Sequence, residues 1–331
     1  QGAQVLVVTQ PTVSDGRLAP VLGQVWGGPL VMWATPEKQE GSMISANSLV
    51  GTHAFSATLR HLGAQFELVY GHPDEERTRN DLWDAMRIAF AADRLQHSTV
   101  GLVGSHAPGF IDFHADPASI SNELGVQIYY ESVNEFLWRV EGAAGDEVET
   151  DIAKMRQMEL PTRGIDDADL PEALHHQARY HTAMQTMMAE KHLDGLAFRD
   201  WPDLPSIVGH WPYFALARMV SEHQALAMEG DVDGAICSII AESLGIGPVY
   251  LSDWLEHDRD TITIWHTGAA PFQLCEPVGT EKGPHLSTQF NNRKPTVVEA
   301  TLTAGLDVTL FRLWRCDGHY AMTAIEGSTA E

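Results

Sequence analysis

Residues 225–267, ALAMEGDVDGAICSIIAESLGIGPVYLSDWLEHDRDTITIWHT, constrain the fold more tightly than any other stretch of the chain. Ala225 to Met228 is a short apolar run of strand character. From Gly234 onward Ile236, Ile240 and Leu244 recur every four residues with Ile239 beside them, the spacing of a buried helix face. Gly245, Gly247 and Pro248 end that helix, because glycine accepts the left-handed cap and proline has no N–H to continue it. Val249 to Leu251 then reads as a second strand.

A strand, a helix and a strand in this order predict a right-handed crossover with the two strands parallel. Glu229 would close one strand and Asp253 the other. Adjacent strands lie about 4.8 Å apart, so the two carboxylates are expected to converge at the carboxyl edge of the sheet, where ligands bind in open α/β folds. Anionic groups aimed at one point repel unless a cation or a shared proton lies between them. A divalent metal site is therefore expected, with Glu229 and Asp253 as ligands. Asp231 and Asp233 precede or open the helix, and Asp233 is assigned to capping it.

A chain of 331 residues can bury a sizeable core. The formal net charge of −24 disfavours a nucleic-acid backbone or an anionic membrane as partner and leaves a neutral sugar open. Cys237, Cys275 and Cys316 are widely spaced with no CxxC pair, so neither a disulfide framework nor a zinc ribbon is indicated, and a reducing, cytoplasmic setting is expected. No apolar run approaches the roughly 20 residues of a membrane span.

Alternating strand and helix patterns run through the first two thirds: strands at Val5–Val8, Pro29–Trp33, Phe66–Tyr70, Val100–Val103, Gly125–Tyr130 and Leu193–Phe198, with helices at 45–62, 73–95 and 172–191. The loop GSHAPG after the fourth strand lacks the GxGxxG spacing of a dinucleotide site. Residues 141–172 are acid-rich and carry Pro161, Gly164 and Pro171, so they are assigned to a connector. The helix at 172–191 carries His175, His176 and His181. Neighbouring histidines point to different helix faces, and the reading is an amphipathic packing helix. Two Trp-Pro pairs in DWPDLPSIVGHWPY make Trp201, His210 and Trp211 candidates to line a ligand site, since their rings offer flat apolar faces at small entropic cost.

Beyond residue 260 the pattern changes to period two, at Thr261–Trp265, Thr296–Leu302, Val308–Trp314 and Tyr320–Ile325, which predicts a small antiparallel β domain. Asp317-Gly318 is a two-residue hairpin turn, and His319 follows it. His266 shares parity with Ile262 and Ile264 and so faces inward or toward a cleft. The expected fold class is α/β: Rossmann-like parallel-sheet domains at 1–98 and 99–260, then a β-barrel-like domain at 261–331.

These residues also carry a resemblance. AMEGDVDGA, YLSDW and TIWHTGAAP, together with WATPE, NSLVGTH, VGLVGSHAPGF and CDGHY, resemble in order the L-fucose isomerase and L-arabinose isomerase family over nearly the whole chain. The resemblance implies a metal-dependent aldose–ketose isomerase acting through an enediol on a pentose, deoxyhexose or modified hexose. It implies Mn2+, with Mg2+ as the alternative, held by Glu229 and Asp253, which also serve as the acid–base pair. A histidine completes the metal shell, and His319 and His266 are the two candidates. Ser105, His106 and Phe110 enter as substrate-lining candidates because that loop lies near the sugar in the family, and Trp254 joins them beside Asp253. The resemblance further implies a homo-oligomer, trimer or hexamer, and a leading α/β segment that this chain is expected to lack. A sugar-binding regulatory protein, or an epimerase or aldolase using the same enediolate, are the alternatives.

Overall fold

The computed structural model describes residues 3–38, 41 and 44–330. Two compact units divide the chain, Gln1–Gln96 and His97–Glu331.

In the first unit, β1 (Leu6–Gln10), α1 (Ala19–Val25), β2 (Leu30–Ala34), α2 (Ser48–His61), β3 (Glu67–Tyr70) and α3 (Glu76–Gln96) follow the alternation read from the sequence. The three strands form a parallel sheet in the order β1-β2-β3. Leu30, Met32, Phe55 and Leu59 pack on one face, and Val31, Val69 and Ala85 on the other. β2 is thus apolar on both sides, as a central parallel strand must be.

The second unit is built on a parallel sheet ordered β5-β4-β6-β7. Its elements are β4 (Thr99–Val103), α4 (Pro117–Leu124), β5 (Gln127–Glu131), α5 (Val133–Glu141), α6 (Gly145–Gln157), α7 (Leu170–Lys191), β6 (Gly195–Phe198), α8 (Asp203–Ile207), α9 (Tyr213–Ser221), β7 (Ala225–Ala227) and α10 (Val232–Leu244). α5 opens with a capping box in which the Ser132 side chain and Glu135 satisfy each other's backbone N–H groups. α10 ends at Gly245 in the left-handed conformation, as its sequence requires. Gly195 in β6 lets α10 approach closely: a Cβ there would lie 2.9 Å from Ile239 Cδ1. Phe136, Tyr180, Met184, Met187, Leu196 and Phe198 form the centre of the main core. Burying each such side chain contributes on the order of 1.5–3 kcal/mol.

Two expectations change. Residues 145–157 are a helix rather than connector: Val148, Ile152 and Met155 bury one face against Leu174 and Phe214, and the acids that obscure this periodicity lie mostly on the solvent side. Residues 249–251 are not a strand, and the sheet stops at β7. Three apolar residues flanked by Pro248 are too few to distinguish a strand from a packed loop. Here the Tyr250 hydroxyl accepts from the His266 N–H at 2.8 Å and donates to its carbonyl at 3.2 Å, while Leu251 packs on the main core.

The remaining chain forms three antiparallel pairs: β8 (Asp253–His257) with β9 (Ile262–Trp265), β10 (His285–Thr288) with β11 (Pro295–Glu299), and β12 (Asp307–Cys316) with β13 (His319–Ser328). The fold is mixed α/β with parallel sheets followed by small antiparallel sheets. Cys316 pairs with His319 across Asp317 and Gly318, both at positive φ, the two-residue turn its sequence predicts. Among the described residues no helix is long and apolar enough to cross a membrane.

Candidate active site at the carboxyl edge of the second sheet

Three parallel strands deliver three loops to one place. β4 runs into 104–110, β6 into Arg199-Asp200-Trp201, and β7 into Met228-Glu229-Gly230. Backbone bonds lock them together: the Ala107 N–H donates to the Glu229 carbonyl at 2.8 Å, and the Gly230 N–H donates to the Phe198 carbonyl at 3.1 Å. A Cβ on Gly230 would sit 2.3 Å from the Ser105 carbonyl oxygen, and its φ is +72°, so only glycine fits.

Glu229 itself has a φ of +63°. A non-glycine residue costs on the order of 1–3 kcal/mol there and persists only where its surroundings hold it. Asp200 does the holding. Its Oδ1 accepts the Glu229 N–H at 2.7 Å, and its Oδ2 accepts the Tyr213 hydroxyl at 2.7 Å. Asp200 is fully buried. Burial raises its carboxyl above the ordinary carboxylate range, against the opposing hydrogen bond from Tyr213. From the neighbouring position the Trp201 indole N–H donates to Glu229 Oε1 at 3.1 Å. Phe110 meets the Trp201 ring edge-on, with centroids 5.9 Å apart.

The Glu229 carboxyl is half-buried. Burial first, and then the Asp200, Asp253 and Asp231 carboxylates, push it up to about 7 against the Trp201 hydrogen bond. A carboxyl at this value exchanges protons readily at neutral pH, which is what a general acid–base group needs.

The Asp253 carboxylate is among the charges that raise Glu229, but it does not reach the sheet edge in the way its sequence suggests. It opens β8 instead of closing a strand parallel to β7, and it pairs across the ladder with Trp265, the neighbour of His266. His266 is buried, its Nδ1 has no hydrogen-bond partner among the described residues, and it acts electrostatically on Asp200. Two carboxylates and an imidazole nitrogen without a partner suit a divalent cation in charge and chemistry, although their ligand atoms do not all lie within 4.8 Å of one another in this structure.

His319 does not join this set. It heads β13 at the hairpin tip with its side chain 84% exposed, and its partner is Glu123 at 3.7 Å. The two-residue turn that fixes His319 also directs it outward. Its neighbour Tyr320 turns in, its hydroxyl donating to Asp233 Oδ1 at 3.0 Å. Capping also falls differently from expectation: Asp231 accepts the Gly234 N–H at 2.9 Å and is clamped by Arg312, while Asp233 binds Tyr320 and Arg315. The two acids therefore fasten α10 to the β12–β13 hairpin.

The lining candidates divide. Ser105, Phe110 and Trp201 belong to the loops around Glu229, and His106 shares the 104–110 loop. Trp211 is buried, stacked on Tyr213 at 5.1 Å and bonded to Asn292, so it is packing. His210 stacks on His176 instead of lining this loop cluster. Trp254 is exposed and donates to His257. Asp200, Tyr213 and Tyr250 were not read as site residues from the sequence. Asp200 carries a weaker form of the signal at Glu229, an acid one residue removed from the end of an apolar strand, and Tyr213 carries none. A cavity of about 530 Å³ lies elsewhere, in the first unit between Trp26, Leu59 and Phe66, and brings no paired acid and base together.

No model of a known protein family matches the chain. Relatives do. A protein named sulfoquinovose isomerase from Alkalicoccus urumqiensis is 25% identical over 334 residues, covering 98% of this chain and 72% of that protein. Proteins of the same name from Priestia aryabhattai and Priestia megaterium are each 25% identical over 324 residues, 97% of this chain and 70% of theirs. The similarity therefore includes all three loops of the site.

Proposed function

We propose that this protein is an aldose–ketose isomerase acting on a modified hexose, with sulfoquinovose, the sugar in its relatives' name, as the first substrate to test. The observation that carries the reading is Glu229, a half-buried carboxyl raised to about 7 and held in a left-handed turn at the carboxyl edge of a parallel sheet. Moving the carbonyl from C1 to C2 requires one proton to pass from C2 to C1 and another from the C2 hydroxyl to the C1 oxygen; the carbon-bound proton is the difficult one. Glu229 in its ionised form takes the first, and in its protonated form returns it. General acid–base catalysis of this kind contributes about 10²–10⁴-fold.

The rest of the chain supports that transfer. Asp200 fixes the Glu229 backbone, and the Trp201 N–H fixes the rotation of its carboxyl by holding Oε1. Phe110 and Trp201 offer apolar faces to a sugar ring. Glu229, Asp253 and His266 would hold a divalent cation, Mn2+ or Mg2+, and His319 lies outside that set. The ion would supply Lewis-acid polarisation of the sugar's oxygens. This arrangement agrees with the resemblance to the fucose and arabinose isomerases. We extend the reading to a cytoplasmic homo-oligomer, supported by three free cysteines in the chain.

The test is ketose formation from sulfoquinovose and from unsubstituted aldoses, with and without Mn2+, in the wild type and in Glu229→Gln. The variant should lose about 10³-fold or more in kcat. Unchanged turnover in Glu229→Gln would overturn the assignment, and activity indifferent to metal removal would overturn the cation.

A further inference from the structure

Among the described residues, the one set of three metal-ligating side chains whose donor atoms all lie within 4.8 Å of one another is Glu172, His176 and His210. It stands apart from the loops around Glu229. We propose that these three residues form a second metal site, one for a transition metal of the zinc type.

Two of the ligands come from one helix face. Glu172 and His176 are four residues apart at the start of α7, so their side chains are neighbours. The third comes from the segment between α8 and α9. Both imidazoles approach the same carboxylate oxygen: Glu172 Oε1 is 3.7 Å from His176 Nε2 and 3.9 Å from His210 Nε2. Zinc bonds of about 2.0–2.2 Å in a tetrahedral arrangement separate ligand atoms by about 3.3 Å. Closing on one ion takes a turn of at least one imidazole about its Cβ–Cγ bond, because near-parallel rings do not aim their in-plane lone pairs at one point, together with inward movement of the carboxylate. Glu172 can supply that movement, because its side chain is 72% exposed.

The histidine backbones are the rigid part. Gln177, fully buried beside His176, donates from Nε2 to the Trp211 carbonyl at 2.7 Å and accepts the Ala215 N–H at 2.9 Å. The Trp211 N–H donates in turn to the Pro295 carbonyl at 2.7 Å. The residue after one ligand thus grips the residue after the other, which fixes the two backbones, while the rings lie with centroids 4.1 Å apart and planes 27° from parallel. Such prior ordering is what a metal site needs from the shell around its ligands.

The ring pair also lacks another account. His210 Nδ1 is buried with no hydrogen-bond partner among the described residues. Two nitrogens and one carboxylate oxygen, with room for water, suit Zn2+ or Co2+ better than the hard cations proposed at Glu229.

The test uses untagged, chelator-treated full chain titrated with Co2+, read by visible absorption, with Zn2+ as competitor. Bound Co2+ should give a spectrum of low coordination number that Zn2+ abolishes, with a stoichiometry of one per chain once the proposed isomerase centre is removed. His176→Gln and His210→Gln should each weaken binding at least about tenfold, the lower end for disturbing a metal shell. The spectrum should persist in a Glu229→Gln, Asp253→Asn double variant, which separates this site from the proposed isomerase centre. Absence of the spectrum in wild type, or a spectrum unaffected by either histidine substitution, overturns the proposal. Should the variants fail to fold, protection of His176 and His210 in wild type from diethyl pyrocarbonate by Zn2+, mapped by peptide mass spectrometry, decides it. Equal labelling with and without zinc would count against the site.

Discussion

Asp151 and Glu229 are both carboxylates withdrawn from water in the second unit, and their surroundings treat them in opposite ways. Asp151 receives a two-pronged contact from Arg218, at 2.6 and 2.7 Å, and lies 3.2 Å from His181. His181 reaches Glu222 at 3.0 Å on its other side. Although burial favours the neutral acid, these cations hold Asp151 well below the ordinary carboxylate range. Glu229 has no cation as partner, three carboxylates that raise it, and one indole N–H. Charge that is matched within the fold reads as a brace between α6, α7 and α9. Charge left unmatched reads as a place prepared for something the chain does not itself contain.

The comparison breaks most visibly at Arg218. Replacing it with alanine strands Asp151 in the interior and should cost about 3–5 kcal/mol, measured by urea unfolding. A loss under about 1 kcal/mol would mean that the brace is ornamental. The pH dependence of the brace has two limbs. Asp151 is lowered, so its contribution is present above about pH 4 and is lost as pH falls further. His181 is raised by Asp151 and Glu222 against its burial, so its contribution is complete below about pH 6.5 and is lost as pH rises through its folded value. In a Glu229→Gln background, which removes that carboxyl's own titration, unfolding free energies collected across pH should therefore form a plateau between those values, and a curve still rising at pH 8 would contradict the His181 assignment.

Glu229 should show the reverse sign at a smaller size. Its carboxyl is raised, so the folded state binds the extra proton and stability declines as pH climbs from about 4.5 toward 7. In metal-free protein, Glu229→Gln should be more stable than wild type above pH 7, by up to about 3 kcal/mol, with the gap narrowing toward pH 5 and closing below about pH 4.5. A gap that is the same at both pH values would place the carboxylate in water after all.

Much of this was legible in the chain. The apolar runs of β4, β6 and β7, the ends of α10 and the Asp317-Gly318 turn are local signals, and an acid directly after an apolar strand pointed to Glu229. What escaped was mostly non-local. Three residues at 249–251 carry too little pattern to say whether another strand lies beside them. Val148, Ile152 and Met155 keep helical spacing, but their acidic neighbours dilute it. His176 looked like packing because its partner His210 comes from a distant loop, and Tyr213 became a site residue only through a fold that sets its hydroxyl on Asp200. His319 shows the opposite error: a good turn signal told where the residue sits in the hairpin and nothing about which way the hairpin tip faces.

The left-handed backbone at position 229 has a bearing on descent as well as on chemistry. Glycine or asparagine would occupy that geometry with less discomfort, so ordinary mutation pushes steadily against the glutamate there. A lineage that abandoned turnover would drift to one of those two residues and become sturdier for it. Keeping an acid at this bend is thus a running wager on use, and its identity in any cousin is a quick diagnostic of whether that cousin still works.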